Sequence, residues 1–204
     1  YFGHPLKEMM PKAGKIKKSK NKVFNVGVFP GSRENEVKKF MDPILETCVL
    51  TAQKVKRVKF TVYLAEGTNR DFIRQKTVAL KNIMFEFKSG RDYASRAALD
   101  AAIAKSGTTT LELAMMGVPM AVVYSVSPLT FMLAKPMLKS KFAALPNIIA
   151  EREIVKEFIQ DGFKPALVAD EIIKILTQPG YRKAVKGALK KTVGSLETAE
   201  NPSE

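Results

Sequence analysis

The sequence predicts an α/β fold, with a Rossmann-like parallel sheet that has helices on both faces and a mostly helical carboxyl-terminal region. Two observations predict it. Short apolar runs alternate with segments of helical apolar spacing, and helical spacing dominates after Tyr124. Because parallel neighbours need long crossover connections, this alternation favours right-handed βαβ units.

The predicted elements begin at Val23. A β-rich run over Phe24–Phe29 ends in Pro30-Gly31-Ser32-Arg33, and a long helical pattern follows over 34–55. Further strands are predicted at 60–65, 83–87, 99–104 and 120–124, and further helices at 69–80, 91–98, 128–138, 154–159, 165–176 and 181–193, with one more starting at Ser106. We therefore expect one domain over 23–196, an interdomain linker or exposed basic segment over 1–22, and a disordered tail over 197–204.

Composition narrows the class of protein. The chain has 204 residues, of which 46% are hydrophobic, so it is long enough to bury a core. No apolar run is long enough to cross a bilayer. Cys48 is the single cysteine and His4 the single histidine, which excludes an intrachain disulfide framework and argues against a zinc hydrolase or a histidine-based nucleophile triad. The cysteine usage is compatible with the cytoplasm, and we expect no metal and no other cofactor.

The formal net charge of +14 favours polyanionic partners. Most Phe and Tyr residues lie in apolar patterns rather than among the lysines, so we expect no nucleic acid partner. Most lysine clusters are interpreted as solvated faces, with contact to an anionic membrane as the second interpretation. In the segment 131–142 lysines interrupt large apolar residues, which is typical of a segment lying at a lipid interface.

Two turns at predicted strand ends have the residues of anion-binding sites. In the first, Arg33 follows Gly31 and Ser32 at a helix start and suits a diphosphate, although a surface pair with Glu36 explains it equally well. It has neither the Lys-Ser/Thr ending of an ATP-binding loop nor the glycine pattern of a dinucleotide site.

The second turn is Ser106-Gly107-Thr108-Thr109-Thr110-Leu111-Glu112. Ser106 or Thr108 is expected to cap a helix, with Glu112 in its first turn. Free backbone N–H groups there attract an anion, and the expected anion is a phosphate. The alternative is an ordinary capped helix start. Further along, Asn147 is placed by Pro146 either to offer its amide to a ligand or to shape a turn.

These motifs stand in a characteristic order: 1–6, 29–33 with Glu36, 106–112, 117–120, 124–130 and 145–147. In that order and spacing the chain resembles the lipid-A-disaccharide synthase family over nearly its whole length. The resemblance implies an inverting glycosyltransferase with the GT-B fold, which joins UDP-2,3-diacylglucosamine to 2,3-diacylglucosamine 1-phosphate and releases UDP. It also implies that this chain is the carboxyl half, which binds the donor, while an amino half supplies the acceptor surface and the general base.

The resemblance assigns roles position by position. Arg33 contacts the diphosphate and stabilises the departing UDP, with Gly31, Ser32 and the backbone of Ser106, Gly107 and Thr108 around it. Glu112 matches a position at which related enzymes use a carboxylate to bind the ribose hydroxyls. Asn147 matches the Leu-Pro-Asn motif that lines the donor site, and Glu153 belongs to the element that follows this motif. Three residues depart from the family pattern: Thr109, Lys105 and Glu151.

Partners and location follow from the same resemblance. The expected partners are the UDP-linked donor, a phosphorylated lipid acceptor, the amino half and an anionic membrane, with peripheral attachment to the inner face of the cytoplasmic membrane. Two alternatives stay open. One is another UDP-sugar enzyme of this fold, such as a muramyl-type transferase or an epimerase, and the other is a non-catalytic module that binds nucleotides or polyanions.

Overall fold

A six-stranded parallel sheet forms the centre of the protein. The computed structural model describes residues 23–126 and 141–199. Within them the strands are β1 (Phe24–Phe29), β2 (Val58–Leu64), β3 (Met84–Ser89), β4 (Ala101–Lys105), β5 (Met120–Tyr124) and β6 (Lys156–Ile159). Their order in the sheet is β3-β2-β1-β4-β5-β6, and each neighbouring pair is parallel. The predicted Rossmann-like class is confirmed.

Helices connect the strands and cover both faces. They are α1 (Glu34–Lys54), α2 (Arg70–Val78), α3 (Tyr93–Ala97), α4 (Thr108–Met115), α5 (Leu145–Ala150), α6 (Pro165–Thr177) and α7 (Pro179–Ala199), with a 3₁₀ turn at Gln160–Gly162. The predicted elements at 1–22 and 128–138 lie wholly or mainly outside the described residues, as do 200–204 of the predicted tail.

Alternation along the strands divides the core between two faces. Val26 and Val28 of β1 pack with residues of α1 and α6, whereas Phe29 packs on the opposite face with residues of α4 and α7. The second face is tight beside β1, since a Cβ on Gly27 would lie 2.5 Å from a methyl group of Leu99. This close approach requires the glycine.

The predicted helix at 154–159 is wrong, because its last four residues form the strand β6. Its four residues pair with β5 in register from Ala121 with Lys156 to Tyr124 with Ile159. A short apolar run is compatible with either structure, and here the open edge of β5 decides it. The helix α5, whose N-cap is Ala144, was not predicted as an element.

Candidate functional site

A cleft of about 300 Å³ opens where the strands end. It lies at the carboxyl ends of β1 to β4, where the order of the strands reverses between β1 and β4, the usual ligand position in doubly wound sheets. Six of the predicted site residues line it: Gly31, Ser32, Ser106, Gly107, Thr108 and Glu112. Arg33 stands beside it with a side chain that is 83% exposed. The fold thus brings the two predicted turns into one site.

The turn after β1 is filled by a carboxylate of the protein itself. Glu36 reaches back from the first turn of α1, and its Oε2 accepts hydrogen bonds from the backbone N–H of Ser32 at 3.2 Å and of Arg33 at 3.4 Å. A Cβ on Gly31, whose φ is +121°, would lie 2.7 Å from the same oxygen. Glycine is therefore needed both for the backbone conformation and for the approach of Glu36.

Two cations hold the Glu36 carboxylate. Its Oε1 lies 2.9 Å from Nζ of Lys105 and 3.4 Å from Nη1 of Arg33. Burial raises the pKa of Glu36, but the hydrogen bond and charge of Lys105, with the two N–H donors, lower it further, so the net pKa lies below the ordinary value. The surface pair considered as an alternative for Arg33 is present, and the guanidinium is largely exposed to solvent.

The turn after β4 has a different arrangement. Gly107, rather than Ser106 or Thr108, is the N-cap of α4, and within the described residues no side chain caps this helix. The Ser106 hydroxyl instead donates to the carbonyl of Ala143 at 2.6 Å. The prediction of a side-chain cap is thus wrong, and in the described part of the chain no side chain accepts a hydrogen bond from the first N–H groups of α4.

Glu112 lies one turn further along α4 than predicted. Because the helix begins at Thr108, its first turn contains no acidic residue. The Glu112 carboxylate instead pairs with the buried guanidinium of Arg96. Together they form one wall of the cleft, beside the stacked rings of Phe29 and Tyr63, whose centroids are 4.7 Å apart.

Asn147 and Glu153 lie outside this cleft. The Asn147 side chain is fully buried, where its Oδ1 accepts from the N–H groups of Ile154 and Val155 and its Nδ2 donates to Glu157 at 2.7 Å. Glu157 in turn accepts from the N–H of Ala143 at 2.8 Å, next to the carbonyl that binds Ser106. The Glu153 side chain is exposed and pairs with Lys156.

Sequence reasoning missed Arg96 as a site residue and mentioned Lys105 only as a departure from a family pattern. Both carried a local signal. Lys105 is the charged last residue of the otherwise apolar strand β4, and Arg96 interrupts a run of small residues. In the described residues, no three His, Cys, Asp or Glu side chains are grouped as metal ligands would be.

Comparison with known proteins adds to this geometry. The profile of a family described as lipid-A-disaccharide synthetase matches residues 1–201. Lipid-A-disaccharide synthase of Syntrophotalea carbinolica is 37% identical over 164 residues, 80% of this chain and 42% of the relative. The enzyme of Coxiella burnetii (strain Dugway 5J108-111) is 32% identical over 198 residues, 93% of this chain and 51% of the relative. The chain thus spans about half the length of these curated relatives.

Solved structures show the same fold at low sequence identity. The glycosyltransferase WaaG, involved in lipopolysaccharide biosynthesis, has a TM-score of 0.58 at 16% identity, over 84% of this chain and 43% of that one. TarM has a TM-score of 0.58 at 13% identity, over 90% of this chain and 34% of that one. These likenesses agree with one half of a GT-B fold. The family profile covers nearly all residues, and we conclude that the chain belongs to the lipid-A-disaccharide synthase family.

Proposed function

We propose that this chain is the donor-binding half of an inverting glycosyltransferase that transfers 2,3-diacylglucosamine from UDP to 2,3-diacylglucosamine 1-phosphate. The observation that carries the proposal is the meeting of two motifs, Gly31–Arg33 and Ser106–Glu112, in one cleft at the strand ends. The chain spans about half of its relatives. We therefore assign the acceptor surface and the general base to an amino half.

In the proposed reaction the acceptor hydroxyl attacks the anomeric carbon from the face opposite the diphosphate. A carbon–oxygen bond forms, the bond to UDP breaks with its electron pair going to the diphosphate, and the hydroxyl proton passes to the base of the amino half. The role of this chain is to stabilise the charge on the departing UDP. Pre-oriented donors do this without reorganising during the reaction.

Arg33 and the start of α4 are our candidates for that stabilisation. Arg33 supports the proposal because its guanidinium is largely exposed and is held only loosely, 3.4 Å from Glu36. The backbone of Gly107 and Thr108 supports it because α4 lacks a side-chain cap within the described residues. A charge-assisted hydrogen bond to phosphate contributes about 1.5–3 kcal/mol.

The three remaining family positions, Glu112, Asn147 and Glu153, differ in the role that we assign to them. Glu112 accepts from the ribose hydroxyls, since a carboxylate is acceptor-only and cannot face the phosphates without repulsion. Asn147 acts at a distance: through Glu157 and Ala143 it supports the turn that holds Ser106. Glu153 receives no role in the donor site, because its side chain is exposed beside Lys156.

The test is calorimetric titration with UDP, UMP, ADP and single-stranded DNA. We expect UDP to bind in preference to the others, and Arg33→Ala to weaken UDP binding by about tenfold or more through loss of a charged donor. UMP binding should change less, because UMP lacks the second phosphate. Arg74→Ala, an exposed arginine of α2, is the matched control. Preference for DNA without UDP binding would refute the proposal.

We further propose peripheral attachment to an anionic membrane surface, on the inner face of the cytoplasmic membrane. Support comes from the net charge of +14 and from the lipid-linked substrates that we assign. None of the described helices is long and apolar enough to cross a bilayer. The basic apolar segment 131–142 lies outside the described residues except for its last two positions.

This attachment predicts salt-sensitive binding to vesicles. Each basic residue near an anionic surface contributes about 1 kcal/mol, and salt screens that attraction. We expect the protein to sediment with phosphatidylglycerol vesicles at low salt and to be released at high salt, and not to bind phosphatidylcholine vesicles. Binding that is indifferent to salt and to lipid charge would contradict it.

A further inference from the structure

Arg96 is a buried cation in the wall of the cleft to which the proposed function assigns no role. Its side chain is 3% exposed, its Nη2 lies 2.5 Å from Oε2 of Glu112, and its Nη1 donates to the carbonyl of Gly90 at 2.8 Å. The rings of Phe29 and Tyr93 lie 5.2 and 4.9 Å from its Cζ atom. The guanidinium is thus fixed by two acceptors and two aromatic rings.

Arg96 leaves half of the Glu112 carboxylate available. Within the described part of the chain, Oε1 of Glu112 accepts no hydrogen bond, while Oε2 is committed to Arg96. The Glu112 side chain is 16% exposed and lines the cleft. A carboxylate oxygen in this position needs a hydrogen-bond donor from the ligand, such as a hydroxyl.

The charge of Arg96 also matters for a phosphorylated ligand. Glu112 lies about one helical turn, or roughly 5 Å, along α4 from Thr108, at which the helix starts. An unpaired carboxylate at that distance would repel a diphosphate bound at the helix start. Because Glu112 is paired with Arg96, the two charges cancel, and Oε1 of Glu112 can still accept a hydrogen bond.

Arg96 also links the two sides of the cleft. The carbonyl of Gly90 belongs to the turn after β3, whereas Glu112 belongs to the helix after β4, on the other side of β1 and β2 in the sheet. The planar guanidinium donates to both from one rigid group. A lysine ammonium in its place is a single point donor and would not span both acceptors in the same way.

We propose that Arg96 is a positioning residue that orients Glu112 to accept hydrogen bonds from the vicinal hydroxyls of the nucleotide ribose. The inference rests on the proposed function, because it takes the ligand to be a nucleoside diphosphate. Arg96 acts through Glu112 and leaves the ligand contact to that carboxylate. Its consequence is selectivity for ribose rather than affinity for phosphate.

The test compares UDP with 2′,3′-dideoxy-UDP by calorimetry in the wild-type protein and in four variants. We expect the wild type to bind UDP about tenfold more tightly than the dideoxy compound, the size of one hydrogen bond to a charged group. This ratio should fall to about one in Glu112→Gln and Arg96→Met and take an intermediate value in Arg96→Lys. Lys59→Met removes a matched ion pair, with Glu86 on neighbouring strands, and should keep the wild-type ratio.

The ratio separates positioning from a merely structural role. If Arg96→Met weakens both nucleotides equally, Arg96 only supports the fold and the inference is overturned. Circular dichroism shows whether each variant folds. If Arg96→Met does not fold, Arg96→Lys provides the test, because a wild-type affinity ratio in the lysine variant also overturns the inference. A wild-type protein that binds no UDP overturns the proposed function and the inference with it, whereas UDP binding with an unchanged ratio in the variants overturns the inference alone.

Discussion

The turns after β1 and β4 resemble each other in sequence but differ in what their backbone donors bind. In the first turn, the N–H groups of Ser32 and Arg33 donate to Glu36, which Lys105 holds from the neighbouring strand. In the second, Gly107 stands at the N-cap and no side chain of the described residues satisfies the helix start. The first turn is occupied by the protein's own carboxylate, whereas no side chain of residues 23–126 or 141–199 caps the second.

The two turns therefore offer a ligand different kinds of hydrogen-bond donor. The first turn provides a side chain, Arg33, which projects into solvent from a backbone that is already satisfied. The second provides backbone donors, because nothing in the described residues competes for them. Glycine and serine at a helix start therefore do not by themselves identify an anion site. What matters is whether a carboxylate three residues on, such as Glu36, folds back over the turn.

The largest expected effect comes from forcing the first turn open with Gly31→Ala. Alanine at this position would have to keep a φ near +121°, and its Cβ would lie 2.7 Å from Oε2 of Glu36. We expect the free energy of unfolding to fall by about 2 kcal/mol, through backbone strain and displacement of the carboxylate. Urea denaturation measures it. Gly162→Ala, where a Cβ would meet no atom within 4 Å, is the control, and an equal loss there would show that Glu36 is not involved.

A smaller effect, on binding alone, is expected from Thr108→Pro in the second turn. Proline at the first helical position is tolerated, as Pro165 and Pro179 show at the starts of α6 and α7, but it removes one N–H. We expect UDP affinity to fall about tenfold, or about 1.4 kcal/mol, with little change in stability. Thr108→Ala keeps the N–H and should bind UDP nearly as the wild type does. Equal losses in both variants would assign the effect to the hydroxyl.

Much of the fold was predictable because its signals are local. The helical period of α1 and the apolar run of β4 lie within single segments, and each turn follows its strand directly. The strand β6 was not predictable in this way. Its residues 156–159 are too few to show a period, and only the free edge of β5 gives them a partner.

The site was predictable as two turns and not as a network. Lys105 and Glu36 are 69 residues apart, and Arg96 and Glu112 lie on separate elements, so no spacing rule relates them. The sequence pattern did mark both cations as charges within small or apolar runs. Asn147 shows the converse: its motif was visible, but its burial and its bond to Glu157 depend on packing that the pattern does not contain.

The smallest expected effect is a pH dependence that belongs to the first turn alone. The folded pKa of Glu36 lies below its ordinary value of 4.5, because the effect of burial, which raises it, is outweighed by Lys105 and two N–H donors. The carboxylate therefore stabilises the folded state above pH 4.5, and this contribution is lost as the pH falls through the folded pKa. In Glu36→Gln we expect unfolding free energy to be about 1 kcal/mol lower near neutral pH, with the difference shrinking in acid.

The same variant tests whether the filled turn competes with the ligand. The amide that Glu36→Gln introduces would keep an acceptor for the N–H groups of Ser32 and Arg33 while releasing the charge on Lys105. If Glu36 is only a fixed part of the turn, UDP affinity in this variant should change by less than about threefold. An increase in UDP affinity of about tenfold or more would mean that Glu36 occupies a position that a phosphate can take. Both turns would then be able to bind an anion, and they would differ only in that Glu36 fills the first one.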